Sequence, residues 1–144
     1  MISRRDWTLL VLSAAGGSPL SPVQLQKALF LVGKTIPWAV GDNFYEFIPY
    51  NYGPFDPTVY SDAESLSADD LTVISHQPGR KWDEYGISAI GQAEAERIKG
   101  ELGPQVALHV KSIVKWIQSV TFEQLLKAIY DKFPEYATNS VFRR

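Results

Sequence analysis

Groups able to shuttle protons, attack substrates or ligate metals are sparse in this sequence. His76 and His109 are the only imidazoles. They lie far apart in the chain, and neither falls in a metal-ligand spacing such as H-E-x-x-H. There is no cysteine, which removes thiol nucleophiles, thiolate metal sites and disulfide frameworks together. Asp69 and Asp70 are adjacent, so their carboxylates diverge from a helix end instead of sharing one proton. The sequence contains no phosphate-cradling P-loop, no G-x-G-x-x-G and no nucleophile elbow. The expectation is a protein that is not an enzyme and uses no cofactor or metal; only chemistry assembled from dispersed residues would escape that reading.

What the sequence concentrates instead is recognition chemistry. Tyr45, Phe47, Tyr50, Tyr52, Phe55 and Tyr60 crowd between positions 45 and 60, around the stretch "FIPYNYGPFDP". Aromatic side chains bury much area at low entropy cost and are enriched at protein interfaces. In the Y-G-P turn, Gly53 supplies backbone freedom and Pro54 fixes the chain, while nearby rings plug the core. A small domain cannot hide all of these rings, so about half are expected inside and half available to a ligand.

The elements that position this stretch follow from periodicity and punctuation. At 144 residues the chain suits a single domain. The opening "MISRRDWTLLVLSAAGG" imitates a secretion signal, but Trp7, Leu10, Val11 and Ala14 fall at helical spacing and Asp6 interrupts the basic region. It reads as the first helix of a cytoplasmic domain, from about residue 3 to residue 15, ended by Gly16 and Gly17. Ser21, Pro22 and Gln24 announce a second helix with a capping box, and Leu25, Ala28, Leu29 and Val32 form its buried stripe, widened by Phe30 and Leu31. Residues 33–43 read as a loop and residues 44–48 as an extended piece. Asp56 and Pro57 open a third helix with Val59, Ala63 and Leu66 on one face. Two strands around Pro78-Gly79 follow, with Arg80 and Lys81 near the tip. Three helices and then a hairpin is the order of a winged helix-turn-helix, a core of about residues 1–102.

The remainder, about residues 105–134, reads as a C-terminal helical extension. Ser88 caps a helix that Gly103-Pro104 breaks; Val106, Val110, Ile113, Val114 and Ile117 keep a clean period in the next; Thr121 and Gln124 cap a last helix with Phe122, Leu125, Leu126, Ile129, Tyr130 and Phe133 inside. These helices are expected to cover the core or to form a homodimer contact. The fold class is thus mainly α with a small β-hairpin, α+β, and no stretch is long enough to span a membrane.

Charge is informative through its distribution, since the net value is only -2. Between Lys34 and Arg80 there is no Lys or Arg, while Asp56, Asp62 and Glu64 lie at or in the third helix, the element that normally enters the DNA groove. Such a helix repels phosphate. DNA binding would have to use Arg4, Arg5, Arg80 and Lys81. Lys111 and Lys115 share a face of a later helix that reads as solvated.

The stretches "LQKALFLVGKT" and "FYEFIPYNYGPFDPTVYSDAESL" resemble the Panacea, or SocA-like, antitoxin domain, whose pattern is an L-x-K-L-L-Y-L helix followed by Y-G-P-x-x-P-x-x-Y. The matching residues are Leu25, Lys27, Leu29, Phe30 and Leu31, then Tyr52, Gly53, Pro54, Pro57 and Tyr60, within about residues 23–66. Phe30 stands where the pattern has Tyr, and Ala28 where it has Leu. The chain is also similar to uncharacterised YwgA-type bacterial proteins. The resemblance implies a regulatory module that neutralises a toxin by direct contact, without catalysis. The expected partner surface is Tyr45, Tyr50, Tyr52, Phe55 and Tyr60 with Asp56, Asp62 and Glu64, facing a basic protein such as a toxin, while Gly53, Pro54 and Pro57 serve the turn. The alternative is a winged-helix transcriptional regulator.

Overall fold

The computed structural model describes residues 2–142 and is mainly helical with two small antiparallel hairpins, an α+β architecture. Helix α1 (Arg4–Ala14) lies at the centre, with every residue from Trp7 to Ala14 buried. It touches α2 (Pro22–Thr35), α4 (Thr58–Ala68), α5 (Ala89–Leu102) and α6 (Pro104–Ser119). Its start is fixed by Asp6, whose carboxylate accepts the Ser3 N–H at 2.9 Å. Helix α2 opens on the expected reciprocal cap, in which Ser21 accepts the Gln24 N–H and Gln24 accepts the Ser21 N–H.

Two elements stand where the sequence reads as loop or as a different strand. Helix α2 runs on to Thr35, and Pro37 then starts a short helix α3 (Pro37–Val40), because its fixed φ suits a first helical position. The extended segment is displaced from residues 44–48 to β1 (Ile48–Tyr50), which pairs with β2 (Gly53–Phe55). Pairing is dictated by the turn: Tyr50 faces Gly53, and Gly53 holds φ at 91°, a value that excludes side chains. A Cβ at Gly53 would also press the Tyr130 ring at 3.3 Å.

Beyond α4, β3 (Thr72–Ser75) and β4 (Glu84–Ile87) form the second hairpin. Leu20, between α1 and α2, bridges Tyr85 with backbone bonds in both directions (2.8 and 2.9 Å). The chain thus runs helix, bridge, helix, helix, hairpin through α1, Leu20, α2, α4 and β3–β4, with α3 and the β1–β2 hairpin inserted before α4. The C-terminal helices cover this core: Val106, Val110, Val114 and Ile117 of α6 and Leu125, Leu126, Ile129 and Tyr130 of α7 (Phe122–Lys132) are buried within it. Phe122 departs from the expected inward set and lies 43% exposed. A 3-10 turn, Pro134–Ala137, returns the chain to β1. Among the described residues no helix is long and apolar enough to cross a membrane.

Candidate protein-binding surface

The expected partner residues divide into an inner and an outer set. Tyr45 is buried; its hydroxyl lies 2.7 Å from Thr8 Oγ1 and donates to Asp62 Oδ2 at 2.6 Å. Burial, reinforced by the bond to Asp62, pushes its pKa well above the usual tyrosine range. Asp62 in turn takes a two-pronged contact from Arg4, at 2.8 and 3.0 Å. Asp56 is buried as well: Oδ1 accepts the Thr58 N–H (2.9 Å) and hydroxyl (2.6 Å), and Oδ2 accepts the Glu46 N–H (2.9 Å). Its backbone exchanges two further bonds with the Gln26 amide. Asp56 therefore caps α4 and fixes the preceding loop, and Tyr45, Asp56 and Asp62 are corrected from partner contacts to framework. Glu64 is exposed on α4.

This inner network makes one prediction. Tyr45→Phe strands the wholly buried Thr8 hydroxyl and leaves the Asp62 carboxylate one donor short, so a loss of about 1–3 kcal/mol in urea unfolding is expected. Wild-type stability in the variant would dismiss the network as inert.

The cations proposed for DNA are largely spent on intramolecular pairs. Arg4 holds Asp62; Arg5 reaches Asp69 at 2.8 Å and the Ser65 hydroxyl at 2.8 Å; Arg80 pairs with Glu84 at 3.0 Å. Lys81 has no carboxylate partner among the described residues. The histidines are likewise engaged, His76 with Asp83 at 3.0 Å and His109 with Thr35 at 2.8 Å. Among the described residues no cluster of His, Asp and Glu is arranged to hold a metal.

The outer set is the hairpin tip and what surrounds it. Tyr50 stacks on the half-buried Phe55 at 4.8 Å, and the half-buried Tyr60 stacks on Tyr85 at 5.8 Å. Gly53 and Pro54 are buried beneath, as the turn requires. Tyr52 leaves the tip 45% exposed and meets the Phe122 ring edge-on at 5.5 Å. Trp82, on the loop between β3 and β4, is 50% exposed beside them. Tyr52, Trp82, Phe122, Pro22, Val23 and Lys81 line one mostly apolar lobe of about 590 Å³. A second lobe of about 260 Å³ shares Trp82 and Phe122 and continues to Gln24, Arg80, Glu84 and Thr121.

Trp82 and Phe122 are the contributors that sequence reasoning misses. For Trp82 a signal exists: it stands alone in the polar run "GRKWDE", where no periodic apolar partner offers burial. Phe122 carries no such signal, because it shares helical spacing with the buried Leu125 and Leu126. No family model matches the chain, and no curated protein is significantly similar to it.

Proposed function

We propose that this chain is a non-enzymatic regulatory module that binds a partner protein by direct contact, in the manner of an antitoxin. The observation that carries the reading is the convergence of Tyr52, Trp82 and Phe122, three half-exposed rings from three separate elements, over Pro22 and Val23. Water-exposed aromatic area concentrated in a concave site is the composition of an interface hot spot and is costly to leave uncovered. The resemblance of the Y-G-P-x-x-P-x-x-Y stretch to the antitoxin domain supports the same reading, since Tyr52 belongs to both. A winged-helix regulator would need phosphate contacts, and three of its four candidate cations are already paired to carboxylates.

The test is neutralisation. The chain is produced together with the product of the neighbouring reading frame, and growth and complex formation are followed for wild type and the Tyr52→Ala, Phe122→Ala double variant. Rescue by wild type and its loss in a variant that keeps the wild-type circular dichroism is expected. Salt-sensitive binding to its own upstream DNA, with no neutralised neighbour, would replace this reading with the transcriptional one.

A further inference from the structure

The aromatic groove also carries information about the chemistry of its occupant. Its two lobes adjoin at Ser21, Val23, Trp82 and Phe122, the first mostly apolar and the second of mixed polarity. The first chamber is lined by three aromatic rings, Pro22 and Val23, with Lys81 also lining it. The second holds the Arg80–Glu84 pair and the caps of two helices: Ser21 and Gln24 at the start of α2, and Thr121 at the start of α7.

All unbalanced charge along this path is positive. Lys81 is without a carboxylate, and Glu84, the carboxylate lining either lobe among the described residues, is already held by Arg80. The first turns of α2 and α7, whose N-termini each carry a partial positive charge, contribute lining residues to the same groove. Glu123, in the first turn of α7, is exposed and lines neither lobe. Elsewhere the chain has an acidic balance, so the groove is a local reversal of sign.

We infer that this groove binds an extended acidic segment of the partner protein, with a large apolar anchor in the chamber of Tyr52, Trp82 and Phe122 and an adjacent carboxylate against Lys81. The inference rests on the protein-binding reading above and reverses the sign expected from the sequence, in which α4 faces a basic partner; Asp56 and Asp62 are consumed within the fold. A single-stranded nucleic acid would also stack on the rings, but one unpaired lysine gives little of the counterion release on which such binding depends.

A random twelve-residue peptide display library panned against the immobilised full-length chain decides the matter without knowledge of the natural partner. Enriched peptides are expected to share a bulky apolar residue next to Asp or Glu. Binding of the enriched peptides should fall at least tenfold in Trp82→Ala and in Phe122→Ala, and severalfold in Lys81→Glu, each variant keeping the wild-type circular dichroism. Enrichment of basic peptides, equal binding to Trp82→Ala, no enrichment, or tighter binding of a labelled oligothymidine than of any peptide would each overturn the inference. The neutralisation assay reads independently: rescue that survives Trp82→Ala removes this groove while leaving the partner-binding function in place.

Discussion

Gly91→Ala is expected to lower stability by about 3 kcal/mol or more, a fall in melting temperature of roughly 10 °C for a chain of this size. Propensity alone predicts the reverse, since alanine in a helix is favoured over glycine by about 1 kcal/mol. Gly91 lies in the first turn of α5 with no left-handed backbone, so alanine meets no conformational objection there. The objection is space. A Cβ on Gly91 would overlap the Leu71 carbonyl oxygen, lying 2.9 Å from the Leu71 carbonyl carbon and 2.8 Å from Ile87 Cγ1. The Leu71 backbone cannot retreat: its N–H bonds the Leu66 carbonyl at 2.9 Å, and its carbonyl accepts the Ser88 N–H at 3.1 Å. Ser88 also bonds the Asp70 carbonyl at 2.6 Å through its hydroxyl, which in turn accepts the Gly91 N–H at 2.9 Å. The same substitution at Gly100, in the same helix but with open space around it, should stabilise by a few tenths to 1 kcal/mol. Thermal melts of the two variants side by side check both signs; equal shifts would mean that α5 does not bear on Leu71 as described.

Gly91 also shows what kind of information the sequence carries well. The run "YGISAIG" reads as a wing exit followed by a capped helix, and the structure supplies the reason for its last glycine in the backbone crossing at Leu71. Caps at Ser21, Ser88 and Thr121 and the apolar periods of α6 and α7 are local, so they are legible one residue at a time. Sign and sidedness of the surface are not local. Asp62 reads as an exposed acid on α4 until Arg4, on α1, closes on it at 2.8 Å. Phe122 reads as core from its helical spacing, but it lies on the rim, beside a tyrosine from a distant hairpin. The aromatic turn is visible as an excess of rings, but what each ring packs on is set by partners distant in sequence: Tyr60 stacks on Tyr85 at 5.8 Å, and Tyr52 meets Phe122 at 5.5 Å.

Lys27 is the second residue whose environment overrides its position in the periodic pattern, and its replacement by methionine is expected to change how stability depends on pH. Helix α2 is covered by α1, by α6 and by the β2 strand, so Gln26 and Lys27 are both enclosed along with the apolar stripe. Lys27 is 2% exposed, and its Nζ donates to the Pro54 carbonyl at 3.1 Å, with no carboxylate paired to it among the described residues. Burial lowers its pKa to about 7, against about 10.4 in an unfolded chain. Between those values the unfolded state holds the proton that the folded state has released. Stability therefore climbs as pH rises through this window, and the cost of the buried charge is felt in full only below about pH 7. The contribution of this group between about pH 6 and pH 9 is on the order of 2–3 kcal/mol. Lys27→Met removes it, at the expense of the bond to Pro54, worth about 1 kcal/mol. The variant should be the more stable protein near pH 6, and its advantage should shrink or vanish near pH 9. Urea unfolding of both proteins at several pH values reads the difference directly, because every other titrating group is common to the two. Parallel profiles would show that Lys27 keeps its proton at the ordinary lysine pKa, which in turn would require water or a carboxylate to reach it beneath the hairpin that carries Tyr50 and Tyr52.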